Sequence, residues 1–170
     1  MGFITPNDIE DFRSLYTLQL RYLLSAENQI VDGLKSMISH ATDEQLKDAF
    51  QSHMQETRVQ ADRLKPLIAE MNSGDVDDKK CAVTTALIAA AANIISESKA
   101  GPVRDAGLLA SAQKVEHFEM ASYGAARDWA NQLNLPKHAQ MLQKSLDEEK
   151  HANSLLNTIA ERTNPVAVTA

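Results

Sequence analysis

The sequence has little of what loops and cross-links are made from: one cysteine, six glycines and five prolines in 170 residues. A single cysteine, Cys81, excludes an internal disulfide. The scarcity of turn residues, together with many Ala, Leu, Gln, Glu and Lys, favours helix over strand. The length suits one domain with its own core. We therefore expect one all-α domain.

Positive charges are outnumbered, with 17 Lys and Arg residues against 23 Asp and Glu residues. No lysine or arginine precedes Arg13, and the net charge is -6. Nucleic acids and anionic membranes attract cationic patches, so this balance argues against both partners. The start lacks the basic-then-apolar pattern of a secretory signal, and the longest apolar run, residues 82–95, is too short to span a bilayer. These features predict a cytoplasmic protein that binds neither nucleic acid nor membrane.

Capping residues and helix breakers divide the chain into five predicted helices. Thr5 or Asn7 is placed to cap the first helix, and Thr42 or Asp43 the second. Pro66 falls inside the second helix, where it predicts a kink or an early end. In chain order, the predicted helices cover residues 7–39, 43–71, 81–99, 102–133 and 136–162.

The third helix is shorter than the other four, and it occupies most of the passage between two helix pairs. A helical crossover of this kind is one way to connect a four-helix bundle. We therefore expect an all-α four-helix bundle with a helical crossover between its two pairs. One domain should cover residues 1–164, followed by a loose tail over residues 165–170.

Polar residues interrupt the apolar stripe of each long helix near its middle. In the first helix Glu27 takes the place between Leu23 and Ile30. If the helices pack as a bundle, the interruptions meet at one level. The interrupting residues are Glu27; His53, Glu56 and Gln60; Glu116 and Glu119, followed by Tyr123; and Glu149 and Asn153.

Carboxylates gathered in a bundle core repel one another and each costs several kcal/mol to desolvate, so they need compensation. Metal cations are the expected compensation. Oxygen-rich sites suit two ions such as iron or manganese, held in bundles by single glutamates and by Glu-x-x-ligand pairs. The predicted ligands are Glu27 as a single glutamate, Glu116 and Glu119 as a pair, and Glu56 and Glu149 as bridging or chelating groups.

The remaining polar residues of the stripes each have more than one interpretation. His53 could be a ligand, a hydrogen-bond donor to a ligand, or a satisfied core histidine. Gln60 and Asn153 could complete the coordination or hydrogen-bond a ligand. Tyr123 could donate to a ligand or to a neighbouring helix. His117 and His151 fall off the stripes and are predicted to lie on the surface.

Four segments resemble the YciF-like (YciE/YciF) branch of the ferritin-like superfamily, bacterial proteins associated with stress. They are SAENQI, HMQETRVQADRL, RDAGLLASAQKVEHFEMASYG and SLDEEKHAN. The resemblance covers nearly the whole chain. It implies a ferritin-like four-helix bundle with a dinuclear centre, usually iron. Its implied ligands are Glu27, Glu56, Glu116, Glu119 and Glu149.

Better-studied members of the superfamily, such as rubrerythrin, have a histidine three residues after the second-helix glutamate and another four after the last-helix glutamate. Val59 and Asn153 stand at these positions here. A site poor in imidazole argues against fast peroxide chemistry, since the ligands tune potential and affinity. Slow or specialised oxidation by dioxygen or peroxide, metal sequestration, and an interaction protein that metal only stabilises all remain open. Bundles of this class often pair, which favours a homodimer.

Overall fold

The computed structural model describes residues 9–170, which form five helices and no strand. The helices are α1 (Phe12–His40), α2 (Glu44–Met71), α3 (Ala82–Glu97), α4 (Pro102–Gln132) and α5 (Pro136–Val168). Across residues 9–170, none of the helices has both the length and the apolar character that crossing a bilayer requires. The predicted all-α architecture and its five-helix order are confirmed.

Helix α1 begins later than its predicted start near residue 7. Residues 9–11 are not helical, and the proposed caps Thr5 and Asn7 lie outside the described part of the chain. Asp11 is the cap: its carboxylate accepts the Ser14 N–H at 2.7 Å, and the Ser14 hydroxyl accepts the Asp11 N–H at 3.0 Å. This reciprocal pair satisfies two backbone donors and fixes the first turn.

The two internal prolines end neither helix that contains them. Helix α2 starts at its predicted cap Asp43 and continues past Pro66 to Met71. Buried side chains on both sides of Pro66, at Leu64 and Leu67, hold the helix in the core. A lost backbone hydrogen bond is tolerated where packing fixes the helix on either side.

Helix α5 extends beyond its predicted end at Arg162 to Val168, so residues 165–168 are helical and not a loose tail. The guanidinium of Arg162 binds the Asp43 carboxylate through two contacts of 2.6 and 2.8 Å. Thr163 is buried one residue later. These contacts anchor the helix against the start of α2 and carry it past Pro165.

Two apolar clusters fill the two ends of the bundle. Cluster A joins the second halves of α1 and α5 to the first halves of α2 and α4, and includes Ile30, Phe50, Leu109 and Leu156. Cluster B joins the opposite halves, and includes Leu20, Leu64, Ala126 and Leu142. Helix α2 therefore ends at cluster B while α4 starts at cluster A. The 16 residues of α3, about 24 Å long, run along the bundle to connect them.

Helix α3 approaches α1 and α4 closely at two glycines. A Cβ atom added at Gly33 of α1 would lie 3.2 Å from Cγ1 of Ile88, and one added at Gly107 of α4 would lie 2.6 Å from Cγ2 of Ile94. A larger side chain at Gly107 would therefore push the crossover helix outward.

A buried carboxylate ties the α1–α2 turn to α4. Asp105 accepts the backbone N–H groups of Thr42 at 2.7 Å and Asp43 at 2.9 Å, and the Thr42 hydroxyl at 2.5 Å. Three donors satisfy a charge that would otherwise be costly to bury. The turn thus fixes the relative positions of α1, α2 and α4, three of the helices that carry the polar residues between the clusters.

Candidate metal centre

A layer of polar side chains lies between clusters A and B. Each of the four long helices contributes to it, at the point where its stripe passes from one cluster to the other. Six buried residues form this acidic layer, as we name it: Glu27, His53, Gln60, Glu116, Glu119 and Glu149. The predicted meeting of the four polar interruptions at one level is therefore found in the structure.

Four members of the acidic layer form a compact group. One ligand atom from each of His53, Glu116, Glu119 and Glu149 lies within 4.8 Å of the others. The His53 Nε2 atom is 3.3 Å from a Glu116 oxygen, 3.9 Å from a Glu149 oxygen and 4.0 Å from a Glu119 oxygen. From the sequence alone, His53 could be a ligand, a donor to a ligand or a satisfied core histidine. In the structure its ring lies among the carboxylates of Glu116, Glu119 and Glu149.

Glu27 lies beside this group and is held by a tyrosine. The Tyr123 hydroxyl donates to one Glu27 oxygen, and both side chains are fully buried. The other Glu27 oxygen has no hydrogen-bond partner. Tyr123 therefore donates to a candidate ligand, and that candidate lies on the neighbouring helix α1.

Gln60 connects the layer to a neighbouring ion pair. Its Nε2 atom donates to Glu149 at 2.5 Å and to Glu148 at 3.1 Å. The Arg63 guanidinium binds Glu148 with two contacts of 2.7 and 3.0 Å, and also donates to Ser145 at 2.5 Å. Through this network, side chains of α2 fix the orientation of the Glu149 carboxylate on α5.

Arg63 and Glu148 also belong to the site, although neither was predicted from the sequence. Arg63 follows Gln60 by one helical turn, and Glu148 precedes Glu149, so both lie at the edge of the polar interruption. The sequence does place these two oppositely charged residues at the same level of two helices. That pattern does not predict a buried ion pair, because charged residues at the edge of an apolar stripe usually face solvent.

Glu56 differs from the other predicted ligands. Its side chain is 42% exposed, and its nearest oxygen lies 3.9 Å from Nδ1 of His53. The interaction with the His53 ring lowers the pKa of Glu56, so its carboxylate is charged at neutral pH. Glu56 lines a cavity of about 70 Å³ that Ser52 and the exposed His151 also border, and that reaches His53 and Glu116. It lies on the rim of the site, outside the compact group.

The acidic layer contains most of the unsatisfied polar atoms of the described chain. Buried polar groups in folded proteins normally have hydrogen-bond partners. Among residues 9–170 and outside the predicted site residues, only Arg21 and Thr163 have a buried side-chain nitrogen or oxygen atom without a hydrogen-bond partner. The unpartnered site atoms are an oxygen each on Glu27, Gln60, Glu116, Glu149 and Asn153, both oxygens of Glu119, and both ring nitrogens of His53.

Burial raises the pKa of every carboxyl group in the layer. The pKa rises to about 8 for Glu27 and about 7 for Glu149, and well above the ordinary value for Glu116 and Glu119. Burial alone would lower the pKa of His53, but the carboxylates around it, Glu116 first, raise it to about 9. Without a metal, protons must therefore supply part of the charge balance near neutral pH.

These donors fit a metal of hard or intermediate type. Ligands on opposite sides of one ion lie about 4.2 Å apart, or twice a bond of about 2.1 Å. The separations in the compact group, up to 4.8 Å, are close to that limit. Carboxylate oxygens with one imidazole are typical ligands for iron or manganese. The buried cluster of His53, Glu116, Glu119 and Glu149 could therefore hold a metal ion.

Comparison with known proteins gives consistent matches along the chain. A family model described as a domain of unknown function, DUF892, matches residues 11–168. Protein YciF of Escherichia coli K12 is 36% identical over 136 residues, which cover 80% of this chain and 82% of that protein.

Solved structures match over a greater length. The structure of the E. coli stress protein YciF has a TM-score of 0.87 at 32% identity, and the alignment covers 92% of this chain and 98% of that one. The structure of YcfI from Rhodopseudomonas palustris also has a TM-score of 0.87, at 34% identity over 91% and 98% of the two chains. A Xanthomonas campestris protein at 19% identity, with a TM-score of 0.77 over 94% and 97% of the two chains, shares the fold. The chain therefore belongs to the DUF892 family, the family of YciF.

Proposed function

We propose that the acidic layer holds a dinuclear metal centre, with iron as the expected metal and manganese as the alternative. The observation that carries the proposal is the convergence of unpartnered buried atoms on the predicted ligands. A protein core that leaves both oxygens of Glu119 without a donor loses free energy for each. Cations would supply the missing partners for all of these atoms together.

The charge of the layer supports two ions. Glu27, Glu116, Glu119 and Glu149 carry four negative charges when ionised, which two divalent cations would balance. We infer that these four glutamates and His53 hold the ions. Glu56 is proposed as a further ligand from the rim, since its oxygen lies 3.9 Å from His53. Gln60 and Asn153 would bind or hydrogen-bond at the edge of the centre.

The reaction class that suits such a centre is oxidation with dioxygen or peroxide. A pair of ferrous ions held by Glu27, Glu116, Glu119, Glu149 and His53 would supply the two electrons that, with two protons, convert dioxygen to hydrogen peroxide, at the expense of oxidation of both ions to the ferric state.

The chain itself would orient the ligands and exclude water. Tyr123 holds Glu27 from α4, and Gln60 holds Glu149 from α2. Clusters A and B close the layer at both ends, which strengthens every electrostatic interaction inside it. Bound metal would replace the protons that the raised carboxyl pKa values retain, so binding should release protons.

The biological setting follows from the relative. E. coli YciF is described as a stress protein, and we propose a stress-related role for this chain also. Cytoplasmic location and a homodimeric state stay predictions from the sequence.

Elemental analysis tests the metal centre directly. The wild-type protein, Glu119→Gln and the control Glu161→Gln would each be loaded anaerobically with ferrous ion and then desalted. Gln keeps the shape of the side chain, and Glu161 is an exposed residue of α5 outside the layer. We expect two ions per chain in the wild type and control, and one or none in Glu119→Gln. Equal content in all three proteins would refute the proposal, as would no metal in any.

Oxygen consumption by the loaded protein separates the functions. Stoichiometric uptake of dioxygen on mixing, with hydrogen peroxide released, would support oxidation. Retention of ferrous ion without uptake would favour sequestration, or a bundle that metal only stabilises.

A further inference from the structure

A second, mostly apolar cavity adjoins the acidic layer beneath the crossover helix. It lies between α1, α3 and α4 and has a volume of about 60 Å³. Of the residues in the described part of the chain that line it, His53 and Glu116 are the ionisable ones. Its apolar walls include Ile30, Leu34, Leu87, Ile88, Ala91 and Val115.

The cavity results from the way α3 packs. The helix touches α1 where Ile88 meets Gly33, and α4 where Ile94 meets Gly107. Between these contacts its inner surface carries the small side chain of Ala91. Large residues at the two contact points with a small one between them leave a space that neighbouring side chains do not fill.

Two cavities of different character meet at the same residues. His53 and Glu116 border both this cavity and the one that Glu56 and His151 line. The Glu56 side offers a charged carboxylate to an approaching cation. The α3 side offers hydrocarbon, which a cation or a charged substrate would avoid. The two sides therefore suit ligands of different chemistry.

The size of the apolar cavity limits its ligand. An engineered cavity of about 150 Å³ with apolar walls stays dry and binds benzene or xenon. The present one, at about 60 Å³, has room for a molecule smaller than benzene. Apart from His53, Glu116, Ser36 and Ser111 the walls are hydrocarbon, so a small apolar molecule can contact them without losing hydrogen bonds to water.

We propose that the cavity beneath α3 is a binding site for dioxygen, held against His53 and Glu116. Dioxygen is apolar, small enough for the space, and adjacent there to the residues of the acidic layer. Binding in the cavity requires the apolar walls but no metal. Its use as a reservoir for oxidation rests on the proposed metal centre.

Methyl NMR on the metal-free protein tests the binding. Dissolved dioxygen is paramagnetic, so pressure with dioxygen in place of nitrogen should enhance the relaxation of the buried Ile30 methyl groups more than that of the equally buried Leu142 in cluster B. Xenon pressure should shift the same Ile30 signals. The variant Ala91→Leu fills the cavity, and Ala90→Leu makes the same change at an exposed neighbour that does not border it.

We expect the Ile30 effects to persist in Ala90→Leu and to fall at least severalfold in Ala91→Leu. Leu87→Phe, at a half-buried position on the cavity wall, provides a second filling variant if Ala91→Leu does not fold by circular dichroism. No preferential effect at Ile30 in the wild type would overturn the site. So would equal effects in wild type and in a folded, filled variant.

Ferrous oxidation tests the reservoir separately. At limiting dioxygen, Ala91→Leu should oxidise bound iron several times more slowly than Ala90→Leu, with equal iron content. Equal rates would overturn the reservoir role. Failure of every protein to bind metal would refute the metal centre, while the NMR comparison would still decide whether dioxygen binds.

Discussion

The metal-free protein should lose stability as the pH rises from 6 to 8. Burial raises the pKa of Glu27 from 4.5 to about 8. Between these values the folded state keeps the proton that the unfolded chain releases, so the free energy of unfolding falls with rising pH. The same sign holds for Glu149, whose pKa rises to about 7. It also holds for His53, whose pKa rises from 6.5 to about 9. The stability that this shift contributes is fully present below pH 6.5 and is lost as the pH rises through 9.

The size of the effect can be worked from Glu27 alone. With a folded pKa of about 8 against 4.5, the loss between pH 6 and 8 is about 2 kcal/mol. In a protein of this length, 170 residues, that corresponds to a fall of about 4–8 °C in melting temperature. The other groups share its neighbours, so their contributions are not additive with it.

Thermal melting followed by circular dichroism, in chelator at fixed ionic strength, measures this fall. Glu27→Gln removes a titrating group of the layer and should flatten the dependence, while Glu161→Gln should leave it unchanged. Below about pH 5 stability should fall again, because the hydrogen bond from Arg162 holds the pKa of Asp43 below its usual value and the pair breaks on protonation. A melting temperature that stays constant or rises from pH 6 to 8 would refute a buried carboxylate layer.

Three further substitutions probe separate parts of the structure. Glu56→Gln should slow cobalt binding severalfold in stopped-flow absorbance, because it removes the charge at the polar approach to the layer; an unchanged rate would contradict that role. Asp105→Ala removes a buried carboxylate that accepts three hydrogen bonds from the α1–α2 turn and should cost about 2–4 kcal/mol in urea unfolding, whereas replacing the exposed Asp48 by Ala should cost almost nothing. Gly107→Ala, whose Cβ would lie 2.6 Å from α3, should lower the melting temperature, while Gly124→Ala, with open space around it, should raise stability by about 0.5–1 kcal/mol.

Much of the fold was predictable because local signals and packing agree. The Asp43 cap and the Pro102 and Pro136 starts are local signals, and the structure has α2, α4 and α5 beginning there. The end of α5 was not predictable in this way. Pro165 predicts a break locally, but the helix continues beyond the Arg162 contact to α2, a tertiary interaction that sequence spacing does not reveal.

The sequence predicted the level along the bundle at which the polar residues meet. It did not predict which of the polar side chains on each helix face the core. Polar residues at the middle of four stripes meet wherever the helices pack, so the level followed from the sequence. On α2, however, His53, Glu56 and Gln60 all lie within one broad face. The structure turns His53 and Gln60 inward and leaves Glu56 on the rim. Only the positions of the neighbouring helices decide which edge of a stripe is buried.

The two apolar clusters explain how the fold tolerates its acidic layer. Clusters A and B each contain side chains from all four long helices, so the bundle is closed on both sides of the charged layer. Replacement of buried charges by apolar residues of similar volume is often neutral or stabilising, and a leucine at Glu119 would continue the stripe of α4. The chain nevertheless keeps four carboxylates where apolar residues would suit the core. Residues that break a local rule within an otherwise consistent fold are expected at functional sites, and here Glu116, Glu119 and Glu149 form one compact group with Glu27 beside it.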